Sequence, residues 1–162
     1  MKKVIFLDID GVLATESEFF TNRTNFQKKN EVARELRIPY PFNVKAVDVF
    51  NTMLDETDAE IVLSSDWRTH WNLEELDGIF KFNVVKKSPI DVTSNIVKDT
   101  TMNLEEERTY QINLYVEEHK LENWVAIDDL KLDLDERFFK TKSNMGIKQT
   151  GLKDKIINKL NS

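Results

Sequence analysis

At 162 residues, with 40% apolar and 32% charged side chains, the chain has the balance of an ordinary globular domain and the length for a real core. A formal charge of −6 disfavours a dedicated binder of phosphate backbones, which needs a basic patch. The absence of cysteine removes disulfide frameworks and zinc-thiolate sites. The longest apolar runs are four or five residues, far short of a membrane span. The opening Met1-Lys-Lys-Val-Ile-Phe-Leu7 starts like a signal peptide, but Asp8 and Asp10 interrupt it, so a cytoplasmic protein is expected.

The first element is Lys3-Val-Ile-Phe-Leu-Asp-Ile-Asp-Gly11. Four apolar residues without alternation suit a strand buried on both faces, as in a parallel sheet. Asp8, Asp10 and Gly11 stand where that strand ends, and open α/β sheets bind ligands beyond the carboxyl ends of their strands. A polar turn after any buried strand would look the same, with Gly11 permitting the bend.

Residues 15–41 show no clear period and close at Pro39 and Pro41. They predict a small cap or flap inserted after the first strand, or a plain excursion. Asn43 then predicts a helix cap, with Val44, Val47, Phe50 and Met53/Leu54 at helical spacing and a stop near Thr57. Glu60-Ile-Val-Leu63 predicts a second buried strand, running into Ser64-Ser65-Asp66-Trp67-Arg68. Leu73, Leu76, Ile79 and Phe80 form another helical stripe, and Val84-Val85 predicts a third strand. Residues 90–104 carry no pattern. Acids at Glu105-Glu-Glu107 complement a helix start, with Ile112, Tyr115 and Val116 on its inner face. Trp124-Val-Ala-Ile127 predicts a strand ending in Asp128-Asp129; a strand near Phe138-Phe139 and a helix through Leu152, Ile156, Ile157 and Leu160 complete the chain. Alternating strands and helices predict a Rossmann-like, doubly wound α/β fold with a mostly parallel sheet, spanning 1–162 as one domain. No fused kinase or ligase domain is expected at that length.

Three strands thus end in Asp8/Asp10, Ser64/Ser65 and Asp128/Asp129. If all are parallel, these residues meet in one crevice. Four carboxylates together repel unless a cation lies among them, and oxygen ligands without His or Cys suit a hard ion, Mg²⁺ before Ca²⁺ or Mn²⁺. A hard ion with open positions suggests a phosphate ligand. Ser64 could give its hydroxyl to a phosphate oxygen, and a carboxylate can act as nucleophile without a base.

Phe6-Leu-Asp-Ile-Asp-Gly-Val12 resembles the first motif of the haloacid dehalogenase (HAD) superfamily, Ile61-Val-Leu-Ser64 its second, and Val125-Ala-Ile-Asp-Asp129 its fourth, in the family's order. Ala59 to Arg68, Trp124 to Asp129, and Phe139-Lys-Thr141 with Gly151-Leu152 resemble more narrowly the HAD domain of Swiss Army Knife RNA repair proteins. The resemblance implies an aspartyl-phosphate formed on Asp8, with Asp10 as acid and then base. It implies Mg²⁺ held by Asp8, the Asp10 carbonyl, and Asp128 or Asp129. The second acid, Asp10, favours phosphoryl transfer over dehalogenation. The third motif needs a basic residue: Arg108 is the choice, 20 positions before Asp128, with Lys86, Lys87 and Lys98 as alternatives.

The expectation is a Mg²⁺-dependent phosphatase acting on a phosphomonoester: a nucleic-acid end, a nucleotide or a small phosphometabolite. No membrane and no obligate protein partner are expected. A metal-dependent nuclease and a non-catalytic phosphate-binding or interaction module are the alternatives. Arg68 could meet substrate or pair with Asp66. Trp67 and Trp71 read as a packing pair, His70 and His119 as surface residues, and Asp133 and Asp135 as a solvated loop. The pairs Lys28-Lys29 and Lys86-Lys87 are too short to argue for nucleic acid.

Overall fold

The structure is a computed structural model describing residues 1–162. Five strands, β1 (Lys3–Leu7), β2 (Glu60–Leu63), β3 (Asp91–Val92), β4 (Asn123–Asp128) and β5 (Phe138–Lys140), form one all-parallel sheet in the order β3-β2-β1-β4-β5. The chain winds one way from central β1 to β2 and β3, and the other way to β4 and β5. The switch point of this α/β fold therefore lies at the carboxyl end of β1. No helix is long and apolar enough to cross a membrane.

Seven helices follow the first strand: α1 (Glu16–Phe19), α2 (Arg23–Lys29), α3 (Glu31–Glu35), α4 (Val44–Thr57), α5 (Leu73–Phe82), α6 (Leu104–His119) and α7 (Leu152–Asn161). The unpatterned stretch 15–41 thus holds three short helices, too short for an apolar stripe to develop. Asn43 caps α4 by accepting from the Ala46 N–H at 3.1 Å. The stripe on α5 is narrower than expected: Leu76, Ile79 and Phe80 are buried, while Leu73 at its first turn is exposed.

Alternation along β1 sorts its side chains between two cores. Ile5, Leu7 and Ile9 join the larger one, with Phe50 and Met53 of α4, Ile79 and Phe80 of α5, and Ile156 and Leu160 of α7. Val4 and Phe6 join the smaller one under α6, with Ile112, Tyr115, Trp124 and Ala126. Phe6 meets Tyr115 and Trp124 edge to face, ring centroids 5.6 Å apart in each pair. Asp8, two residues after Phe6, therefore points to the α6 side.

The third strand is not Val84-Val85. Those residues close α5 in a Schellman turn: Val85 N–H donates to the Phe80 carbonyl and Val84 N–H to that of Lys81. The usual left-handed glycine is absent; Val84 holds that conformation at φ 61° and is 77% exposed, while Val85 drops into the core. The strand lies further on, at Asp91–Val92, where it pairs with Val62 and Leu63. Two adjacent valines looked like a strand because nothing marked the helix stop.

A β-branched residue at positive φ carries strain. Val84→Gly is expected to raise stability by about 0.5–1.5 kcal/mol, read as a higher urea midpoint at unchanged slope. A lower midpoint would mean that Val84 is not strained there.

Candidate active site

Leu7 is level with Leu63 and Ile127, and Leu63 with Val92. One residue further, Asp128, Asp8, Ser64 and Thr93 form a row across the carboxyl edge of the sheet. The loop after β1 turns back at once: Gly11 N–H donates to the Ala14 carbonyl at 2.7 Å, with Gly11 at φ 79°. A Cβ on Gly11 would lie 2.3 Å from Asp129 Oδ2, so only glycine lets the two strand ends approach this closely.

α6 supplies the counter-charge. Its buried face is Arg108, Gln111, Ile112 and Tyr115, at i, i+3, i+4 and i+7. The apolar half packs on the sheet, and the polar half reaches the strand ends. Arg108 is 4% exposed. Its Nη1 is 2.9 Å from Asp128 Oδ2 and 3.5 Å from Asp8 Oδ2, and its Nη2 is 3.0 Å from Asp66 Oδ1. Burial opposes the charge on Arg108, but Asp8, Asp128 and Asp66 outweigh it and hold the pKa above the ordinary value.

One guanidinium does not neutralise the acids. Asp8 is pushed well above the usual carboxylate range, first by burial and then by Asp128, against the pull of Arg108. Asp128 is raised by burial too, opposed by Arg108 and by the Leu130 N–H that donates to it at 2.9 Å. Oxygens of Asp8, Asp128 and Asp129 lie within 4.8 Å of one another. Three hard oxygen donors this close, two of them reluctant to ionise, fit a divalent cation such as Mg²⁺. Asp129 accepts from Ser143 Oγ at 2.9 Å.

Asp10 stands apart from that trio. Tyr40 O–H donates to its Oδ1 at 2.6 Å and the Trp67 indole N–H to its Oδ2 at 3.1 Å. Burial raises its pKa; the two donors pull it back part of the way. Asp8, Asp10, Ser65, Asp66, Arg108 and Asp129 line a cavity of about 130 Å³, with Leu104 and Leu130 at its side. Ser65, not Ser64, lines it. Ser64 is buried beside Asp8, where its N–H donates to the Leu7 carbonyl at 3.0 Å. Its neighbour in the row, Thr93, has the one buried side-chain polar atom with no hydrogen-bond partner.

Of the basic residues considered for the third motif, Arg108 is the one brought to the acids. Lys86 pairs with Asp55, and Lys87 with Asp58 at 2.8 Å and Glu60 at 3.5 Å, at the opposite end of β2. Lys98 lines a larger groove, of about 570 Å³, on the outer side of α6 together with Tyr110, Lys131 and Asp133.

Arg68 does not line the cavity and forms no surface pair. It does lie 3.6 Å from Asp66 Oδ1, but its side chain is 4% exposed. Its guanidinium donates to the carbonyls of Ser64, Ser65 and Thr93 and to Gln111 Oε1, tying β2, β3 and α6 together. His70 and His119 are both exposed, and His119 stacks on Tyr115 at 3.8 Å.

Trp67 and Trp71 are indeed packed, ring centroids 4.7 Å apart, but Trp67 also holds Asp10. Tyr40 escaped the sequence reading altogether. Its only local signal is an aromatic ring fixed between Pro39 and Pro41.

The family described as "HAD domain in Swiss Army Knife RNA repair proteins" matches residues 4–152. No curated protein and no solved structure matches the chain.

Because Asp8 and Asp128 hold protons more tightly folded than unfolded, metal-free protein should lose stability as pH rises through their folded pKa values. Asp8→Asn removes one buried charge and should melt higher than wild type at pH 8 in chelator, by roughly 2–5 °C. Added Mg²⁺ should close that gap by stabilising the wild type alone. A variant that melts lower in chelator would show that Arg108 already stabilises the Asp8 carboxylate.

Proposed function

The chain belongs to the HAD domain family of Swiss Army Knife RNA repair proteins, and from that premise we propose that it is a Mg²⁺-dependent phosphomonoesterase working through an aspartyl-phosphate on Asp8. The observation that carries the reading is the placement of Asp8. It is a buried carboxylate at the switch point, 3.5 Å from Arg108 and in one cavity with Asp10 and Asp129.

A carboxylate oxygen of Asp8 attacks the phosphorus, and the bond to the ester oxygen breaks with its electron pair on the leaving group. Asp10 protonates that oxygen, then takes a proton from the water that hydrolyses the acyl phosphate. Arg108 compensates the phosphoryl charge, and Ser65, which lines the cavity just after β2, offers its hydroxyl to the phosphoryl oxygens. Asp8, the Asp10 carbonyl, and Asp128 or Asp129 would hold Mg²⁺. The bound ion would supply Lewis-acid stabilisation of the phosphoryl oxygens.

A cavity of about 130 Å³ accommodates a phosphoryl group and little else, so the rest of the substrate lies outside it. The family's description supports a phosphorylated RNA end as the first substrate to try. The net charge of −6 supports a nucleotide or small phosphometabolite instead, since it repels a long phosphate backbone.

The test is phosphate release with and without Mg²⁺ from a panel of 3′- and 5′-phosphorylated oligonucleotides, nucleotides and sugar phosphates. Asp8→Asn should lose at least about 10³-fold, and Arg108→Ala about 10²-fold. Full activity of Asp8→Asn would overturn the aspartyl-phosphate; hydrolysis of the internucleotide bond in its place would mark a nuclease.

A further inference from the structure

We infer that Tyr40 and Trp67 are positioning residues for Asp10, and that the segment between α3 and α4 therefore acts as a fixed support behind that carboxylate. The inference rests on the phosphatase reading for the role of Asp10, but not for the geometry.

A carboxylate turns readily about its terminal torsion, which has a broad, two-fold profile. Asp10 is denied that freedom. Each oxygen accepts one hydrogen bond, Oδ1 from Tyr40 at 2.6 Å and Oδ2 from Trp67 at 3.1 Å. The donors come from different parts of the chain, one before α4 and one after β2. The indole N–H of Trp67 can only donate, and the Tyr40 O–H is placed to donate to the other oxygen. Each carboxylate oxygen keeps a second lone pair for a proton in transit.

The donors are themselves fixed. Trp67 is 4% exposed and lies between Trp71, at 4.7 Å, and the edges of Tyr40 and Phe42, at 5.9 and 5.8 Å. Tyr40 packs on Phe19 at 5.4 Å. The Trp71 indole N–H donates to the Leu36 carbonyl at 2.6 Å, which ties the end of α3 to the turn after β2. An insert that swung open would carry Tyr40 away from Asp10 and break this aromatic chain.

In the first half-reaction the Asp10 O–H bond breaks and its proton passes to the ester oxygen as the P–O bond breaks. A leaving group that is stable as an anion needs no such proton. Loss of the Tyr40 donor should therefore show in kcat/KM for an alkyl phosphate more than for p-nitrophenyl phosphate.

For Tyr40→Phe we expect kcat/KM on glycerol phosphate to fall about tenfold or more, and on p-nitrophenyl phosphate by about threefold at most. KM for both should stay within about twofold of wild type. A second measurement does not depend on activity. In metal-free protein, the Trp67 indole N–H resonance should move upfield in Asp10→Ala, while that of Trp71, bonded to a backbone carbonyl, stays in place. Equal losses on both esters overturn the positioning role, and an unmoved Trp67 resonance overturns the clamp. If wild type hydrolyses no ester, the phosphatase reading fails and the indole resonance alone decides the clamp.

Discussion

Three carboxylates and one guanidinium share the carboxyl edge of the sheet, and the surrounding structure is arranged to keep them there. Asp8 and Asp128 are buried, and their pKa values are raised by that burial, so a bare cluster of this kind costs stability. The fold offsets part of the cost by aiming Arg108 at both, and it offsets the rest elsewhere. Phe6 with Tyr115 and Trp124, immediately below Asp8, is a dense aromatic floor. Gly11 takes left-handed backbone that brings the β1 loop against Asp129, and Gly146 does the same for the segment after β5 against the Val12 carbonyl. The cluster is expensive where it stands, which is the usual mark of a site kept for chemistry.

The two acids that end β4 divide the work. Asp128 commits Oδ2 to Arg108 and Oδ1 to the Leu130 N–H, so its carboxylate is oriented on both sides. Asp129 is partly exposed, accepts from Ser143 through one oxygen, and lines the cavity. A single acid could not both anchor the guanidinium and remain free toward the cavity. α6 is divided in the same way, with Ile112 and Tyr115 packing on the sheet and Arg108 and Gln111 one turn earlier serving its edge.

Much of this was legible from residue order. Continuous apolar runs ending in Asp8, Ser64 and Asp128 announced parallel strands with polar residues gathered at one edge, because a strand buried on both faces has no alternation to hide them. Arg108 was singled out through the resemblance's third motif together with its place in the first turn of the expected helix, with Lys86, Lys87 and Lys98 left open beside it. Val84-Val85 was misread because a β-branched residue holds the left-handed position where glycine is the usual signal. Arg68 was read as near the crevice, but how deeply it is buried depends on carbonyls of β2 and β3 that no local pattern reveals. Tyr40 lies 30 residues from Asp10, and Trp67 lies 57 from it. Their convergence is a product of the tertiary fold, and side-chain hydrogen bonds over such distances leave no periodic trace.

The stretch 15–41 shows how the absence of pattern misleads. Unpatterned residues after the first strand suggest a flap, and flaps are expected to move. Here each short helix is too brief to carry an apolar stripe, so its anchoring comes from single contacts: Phe19 on Tyr40, Phe26 on Phe82, and Trp71 on the Leu36 carbonyl. Such contacts are invisible to any windowed reading, yet they run in series from the insert through Tyr40 and Trp67 to Asp10. A segment that supplies one of the two hydrogen bonds to Asp10 cannot swing freely without breaking it.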